Sequence, residues 1–196
     1  MTANRLPPPV ELHAPGLLLS PWPPARVDER DLADLRIGLT DPEQARWNPR
    51  ALPADQGDRP VLDRVAGQRA QVADGTLVCW ALRDPADGRL LGNLGIREID
   101  LVVTGGGRVG YWTMPAARGR GVATAALRLA STWAFGELGL HRIELAHALG
   151  NEASCAVARK AGYPLEGVLR QALPDSHGNR HDLHLHARLA GDPEPA

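Results

Sequence analysis

The residues best suited by type and spacing to do chemistry are Arg118-Gly119-Arg120-Gly121. Two glycines let the backbone turn tightly and leave its N–H groups uncovered. Val122 to about Phe135 follows at once, rich in Ala and Leu, and reads as a helix. Its free N–H groups and positive dipole end then point back at the loop. Val109 to Met114 precedes it, short, apolar and aromatic, and stops at Pro115, so it reads as a buried strand. A strand, a Gly/Arg loop and a helix N-terminus together make an anion site, most naturally for a phosphate or pyrophosphate. The spacing is Arg-x-x-Gly-x-Ala, at Arg118, Gly121 and Ala123. It lacks the Gly-Lys-Ser/Thr of a Walker loop and the Gly-x-Gly-x-x-Gly of a dinucleotide fingerprint. Taken alone, the hexapeptide reads equally well as an ordinary glycine turn between strand and helix.

A second cluster is histidine-rich: His177, His181, His184 and His186. His184 and His186 point the same way on a strand. No cysteine completes a site with them, and no metal site is assigned. The two cysteines, Cys79 and Cys155, sit in apolar surroundings without metal-type spacing and read as free buried thiols of a reducing compartment.

The elements that must position these residues follow from pattern. Residues 1–16, with Pro7-Pro8-Pro9 and Pro15, read as an extended N-terminal arm, and residues 17–190 as one domain. Leu17 to Trp22 is a first strand. Asp28 to Leu39 is an amphipathic helix, acidic early and apolar at Leu32, Leu35 and Leu39. Asp41 to Pro60 is loop-like, and Val61 to Ala73 a second helix. Thr76–Arg83 and Arg89–Ile99 form a hairpin, and the turn at Thr104 to Gly107 leads into the central strand. After the central helix come a fifth strand at Arg142–His147 and a turn at Gly150-Asn151. Then follow a helix over Ala153–Ala161 ended by Gly162, and a final hairpin of Leu165–Ala172 with Arg180–Leu189. Residues 191–196 read as a frayed tail. The order predicts an α/β (α+β) fold: a mixed, mostly antiparallel sheet with helices on both faces.

Composition narrows the function. In 196 residues the net charge is −1, so no general electrostatic grip on nucleic acid is indicated. No run is long enough to span a membrane, and no basic-then-apolar leader pattern occurs at the start, so the expected location is the cytoplasm.

Two motifs then carry a resemblance. The first is the Arg118–Ala123 loop after its strand. The second is Asn-x-x-Ser-x-x-Val-x-x-Lys-x-Gly-Tyr, at Asn151, Ser154, Val157, Lys160, Gly162 and Tyr163, with Glu166-Gly167 and Arg170 following. Both resemble the signatures of the GNAT acyltransferase superfamily, in the branch of the Rim-type ribosomal-protein N-terminal acetyltransferases and related small-amine acetyltransferases. Leu18 to Trp22 resembles that branch's first strand, and Asp182 with Leu183 and Leu185 its last. The resemblance covers about Leu17 to Leu189.

It implies acetyl transfer from acetyl-CoA to an amine, with a GNAT-like sheet splayed between its fourth and fifth strands. Pantetheine would lie in that gap, pairing with backbone groups of Trp112, Thr113 and Met114. The pyrophosphate would sit on the N–H groups of Gly119, Arg120, Gly121, Val122, Ala123 and Thr124, with Arg118 and Arg120 as charge partners. Asn151 would bond the pantetheine or the incoming amine. Ser154, one turn on, would face the same way and protonate the departing thiolate. An N–H near Met114 would polarise the thioester oxygen. No metal is expected. The bland readings stand beside these: solvated charges for Arg118 and Arg120, a helix cap for Asn151, a surface hydroxyl for Ser154, core packing for Trp112 and Tyr163.

The general base is open. Many relatives carry Glu just before the central Gly-Tyr-Trp, where this chain has Arg108. Glu98, His147 and a water chain are the candidates. Arg46, Trp47 and Arg50 are the residues to watch for the acceptor, whose identity is not written in the sequence. The acceptor could be a protein N-terminus, a small amine, an amino sugar or an antibiotic. The alternative reading is a non-catalytic CoA-binding sensor or interaction module. A homodimer through exposed sheet edges is compatible with either.

Overall fold

The structure is a computed structural model that describes residues 6–22, 27–174 and 180–195. One eight-stranded sheet runs through it, in the order β1-β2-β3-β4-β5-β6-β8-β7. The strands are β1 (Leu12–Ala14), β2 (Leu17–Pro21), β3 (Leu77–Arg83), β4 (Leu90–Asp100), β5 (Gly106–Thr113), β6 (Arg142–Ala148), β7 (Leu165–Pro174) and β8 (Arg180–Leu189). Every neighbouring pair is antiparallel except β5 and β6. A parallel pair needs a crossover, and helix α4 (Val122–Glu137) supplies it.

The helices cover both faces, as the order of elements predicts. On one face lie α4 and α5 (Glu152–Lys160), over a core of Trp80, Leu94, Ile96, Leu127, Trp133, Ile143 and Tyr163. Trp80 and Trp133 meet edge to face, with ring centroids 5.1 Å apart. On the other face α1 (Glu29–Leu39) and α3 (Arg59–Ala73) bury Leu35, Leu39, Val61 and Val65 against Ala81 and Leu90. Trp112 packs against α1 so closely that a β-carbon at Gly38 would lie 2.3 Å from its ring. Arg83 and Asp31 form a buried two-bond ion pair at 2.7 and 2.8 Å, which ties β3 to the first turn of α1. Cys79 and Cys155 are free and buried. No helix among the described residues is long and apolar enough to cross a membrane.

Two expectations are corrected. Leu12–Ala14 is not an arm but strand β1, because Gly16 at φ +70° closes a tight hairpin onto β2. Trp80 also donates its ring N–H to Val10 O at 2.9 Å and holds this segment down. Pro42–Trp47, read as loop, is a short helix α2. Proline stands at its start, and Asp41 caps it by accepting from Gln44 N at 2.8 Å. Residues 191–195, expected to be a frayed tail, touch the domain. Glu194 pairs with Arg188 at 3.1 Å, and Pro195 covers Gly162, 3.3 Å from where its β-carbon would be. His177 and most of the loop at Pro174–Asn179 lie outside the described residues.

Candidate active site

The sheet opens where the resemblance places the gap. The β5/β6 ladder runs from Gly106/Arg142 to Val109/Leu145 and ends. Beyond it, Gly110 to Thr113 stay paired to β4, and Ala146 to Ala148 stay paired to β8. The two strands are parallel, so α4 and α5 both start at this opened end, outside the carboxyl ends of β5 and β6.

On the β5 side, Met114 donates its N–H to Leu91 O at 2.8 Å. Alternate residues of an antiparallel strand turn their backbone groups to opposite sides. Trp112 therefore also faces β4, while Tyr111 and Thr113 turn their N–H and C=O groups into the gap. This corrects two assignments. Trp112 and Met114 do not offer free backbone groups to a ligand, and the Met114 N–H is not available to a thioester oxygen. Thr113 and Tyr111 are the residues of this stretch whose backbone groups face the gap.

The loop before α4 has the expected form. Gly119 and Gly121 are left-handed, at φ +73° and +79°, and no side chain caps the helix. A β-carbon at either glycine would meet nothing within 4 Å, so both face open space. The first α-helical bond runs from Ala125 N to Gly121 O at 3.0 Å, which leaves the N–H groups of Val122, Ala123 and Thr124 directed outward. The charges differ from expectation. Arg118 is ion-paired with Asp41, the cap of α2, and Arg120 has Asp84 at 3.9 Å. What the loop offers an anion is thus first its backbone N–H groups. A groove continues from Gly121 and Thr124 past Arg128 and Lys160. Arg128 was not singled out from sequence, although it lies one turn beyond Thr124 on the same helix face.

On the β6 side, Asn151 caps α5, its Oδ1 accepting from Ser154 N at 3.0 Å. Asn151 is thus a helix cap, and its amide nitrogen is left for a ligand. Ser154 lies beside the Tyr111 hydroxyl, which is buried and has no hydrogen-bond partner among the described residues. Burial pushes the Tyr111 pKa up to about 12, and nearby Ser154 opposes the rise. Tyr111 is the site residue that sequence reasoning missed. Its position inside an apolar Gly-Tyr-Trp strand reads as core.

The two base candidates separate. His147 is 7 % exposed, and burial lowers its pKa. Its Nδ1 meets Ala148 O at 3.1 Å and its ring faces His184 and His186, so it turns away from the gap. Glu98 sits in a bulge of β4 at φ +55°, exposed, 3.1 Å from Arg108. A bulge re-aims a side chain, and a non-glycine residue there is strained. Arg108 also lies 3.4 Å from Glu144 across the β5/β6 ladder. Arg97 spreads over Gly110, where a β-carbon would stand 2.8 Å from its Nη1. Burial lowers the Arg97 pKa, as do Arg50 and Arg108, while Glu98 opposes them. Of the residues to watch, Arg50 belongs to this arginine group. Arg46 stacks on the Trp47 ring at 4.6 Å, and both line a notch with Ala148 and His181.

A parallel pair that opens into a gap, with an uncapped glycine-led helix at its end, agrees with what the sequence resembles. The sequence model of the acetyltransferase (GNAT) domain matches residues 17–164, well over half of the chain. The chain belongs to the GNAT acetyltransferase family. Within that family it is 38% identical over 103 residues to YdaF of Bacillus subtilis strain 168, named as a ribosomal N-acetyltransferase. That stretch is 53% of this chain and 55% of the relative, so the chain spans about half the length of the curated relatives it matches. Among solved GNAT structures, Mycobacterium smegmatis RimJ, in complex with CoA-disulfide, superposes with a TM-score of 0.76 at 28% identity over 89% of this chain and 82% of that one. The ribosomal-protein-S5-alanine acetyltransferase of Vibrio fischeri matches in fold, with a TM-score of 0.79 at 20% identity over 95% of this chain and 100% of that one.

Proposed function

We propose that the protein is a cytoplasmic N-acetyltransferase that moves acetyl from acetyl-CoA to a primary amine by direct attack in a ternary complex. The observation that carries this reading is the uncapped start of α4, led by left-handed Gly119 and Gly121, at the open end of the β5/β6 gap. The pyrophosphate lies on the N–H groups of Val122 to Thr124. Pantetheine extends into the gap and pairs with Tyr111 and Thr113. The amine reaches the thioester from the α1–α3 face. It loses its proton through solvent to Glu98, attacks the carbonyl carbon, and the thiolate leaves. Ser154 protonates that thiolate and is re-protonated from solvent, with the Tyr111 hydroxyl beside it.

The acceptor face supports a choice of substrate class. Arg50, Arg97 and Arg108 gather beside the gap, against Glu98 and Glu144. That balance suits an acceptor bearing a carboxylate near its amine, such as an acidic protein N-terminus, and disfavours a polyamine. The name of YdaF, a ribosomal N-acetyltransferase, points to the same class.

Calorimetry with acetyl-CoA on wild type and Gly121→Asp tests the cofactor site. Micromolar binding that the folded variant loses supports it; no binding by wild type overturns it. Thiol release with a panel of N-terminal peptides then separates an enzyme from a CoA-binding module. Glu98→Gln is expected to lower kcat while leaving the acetyl-CoA Kd unchanged.

A further inference from the structure

Behind the gap, on the α5 face of the sheet, four side chains converge that acetyl transfer does not use. His147 projects from β6, His184 and His186 from β8, and Cys155 from the first turns of α5. His147 pairs in register with His184, and His186 is its diagonal neighbour. One nitrogen from each ring and the Cys155 sulfur all lie within 4.8 Å of one another. No cysteine stands near the histidines in the sequence. The fold brings Cys155 to 4.0 Å from His186 Nε2 across about thirty residues of chain.

The polar bookkeeping of this cluster is incomplete without a ligand. His147 is 7 % and His186 0 % exposed. His147 Nδ1 lies 3.1 Å from Ala148 O, and His186 Nδ1 lies 2.9 Å from Tyr163 O. Those carbonyls hold the protons on Nδ1, so each Nε2 presents its lone pair to the cluster. Buried His147 Nε2 and His184 Nδ1 have no hydrogen-bond partner among the described residues. Nature rarely leaves two such nitrogens unpaired in one buried group. Arg159 donates to the Cys155 sulfur at 2.9 Å, an outer contact that suits a thiolate.

We propose that His147 Nε2, His184 Nδ1, His186 Nε2 and Cys155 Sγ bind one divalent zinc-class ion. Three imidazoles and one thiolate are the donor set of a closed tetrahedral site, with ligand atoms roughly 3.3–3.7 Å apart at ordinary bond lengths. Side-chain rotation closes the observed spacing to that figure. Binding expels the Cys155 thiol proton to solvent. Four protein ligands leave no open position, so the ion is a structural pin. It joins α5 to β6 and β8, and so fixes the helix turn that carries Asn151 and Ser154. The site stands independently of the acetyl-transfer reading.

The test uses full-length protein prepared without a histidine tag. Metal analysis after Zn2+ loading and gel filtration is expected to give one zinc per chain, and Zn2+ to raise the thermal midpoint. Co2+ in place of zinc is expected to give tetrahedral visible bands and a thiolate-to-metal charge-transfer band. Cys155→Ser is expected to lose that band, and His184→Gln, at a half-buried position, to weaken zinc by more than the roughly tenfold to hundredfold of an outer-contact change. No retained metal, no thiolate band in wild type, or a folded His184→Gln that binds zinc like wild type each overturns the site.

Discussion

Helices α4 and α5 begin at the same open edge of the sheet, and they begin in opposite ways. The start of α4 has no side-chain cap, a left-handed Gly121 and open space where side chains would be. The start of α5 is closed on itself: Asn151 Oδ1 takes the Ser154 N–H, and Glu152 N bonds Gly150 O at 3.0 Å. A helix must satisfy its first N–H groups somehow. In α5 the chain does this itself, and the helix serves to place side chains, Ser154 toward the gap and Cys155 toward the histidines. In α4 the chain declines to do so, and the N–H groups remain for an anion from outside. The same element at the same edge is left open to a ligand in one case and closed by its own chain in the other.

One substitution made in both places breaks or secures that contrast. Gly121→Asp puts a carboxylate and a side chain at a left-handed position facing the ligand, and is expected to raise the acetyl-CoA Kd about a hundredfold or more. Asn151→Asp puts the same carboxylate at the start of α5, where it still accepts from Ser154 N and favours the dipole. It is expected to keep the acetyl-CoA Kd within about threefold and to leave the thermal midpoint level or raised. Calorimetry and thermal unfolding on both variants decide it. Equal losses of binding would mean that α5 also takes the pyrophosphate.

Removing the cap is the next smaller change. Asn151→Ala leaves the Ser154 N–H without its acceptor and is expected to lower unfolding free energy by about 1 kcal/mol. Urea unfolding reads this directly. Because Ser154 shifts with the helix turn, kcat is expected to fall while acetyl-CoA affinity holds. A variant that loses affinity and keeps kcat would instead make Asn151 a cofactor ligand.

The contrast also shows where sequence reading succeeds. The α4 start was legible because its signals are local: two glycines and a helix pattern within a few residues, which mean the same thing wherever the chain goes. The splay was legible only through resemblance, since no residue pattern marks where a ladder stops. The short helix α2 escaped because six residues are too few for a period to show, and Trp47-Asn48-Pro49 reads as loop. Backbone direction is a further limit. Trp112 and Met114 were assigned to the ligand, yet the register to β4 turns their groups away and offers Tyr111 and Thr113 instead. The histidine–cysteine cluster was least legible, because its members come from three elements and Cys155 is distant in sequence from the rest.

Tyr111 spans the two sides of the comparison, being rooted in β5 and ending beside Ser154 of α5, and its prediction is the smallest at neutral pH. Its hydroxyl is buried with no hydrogen-bond partner among the described residues, and burial pushes its pKa from an ordinary 10.0 up to about 12, against the opposing effect of Ser154. Folding therefore favours the protonated form. The stabilisation it carries is fully present below pH 10 and is lost as pH rises toward 12, because the unfolded chain gives up the proton first. Cys79, pushed up to about 12 by burial, acts in the same direction and from a lower starting pKa. Tyr163, also raised by burial, adds to it. Tyr111→Phe removes one of these protons. Its unfolding free energy is expected to match wild type within about 0.5 kcal/mol at pH 8, since an unpaired hydroxyl is exchanged for none. Above pH 10 the loss of stability with pH is expected to be shallower by up to about 1.4 kcal/mol per unit. Urea unfolding at pH 8, 10 and 11 measures both. An unchanged slope would mean that the Tyr111 hydroxyl reaches solvent through the gap, and that the two sides stand further apart than their contact implies.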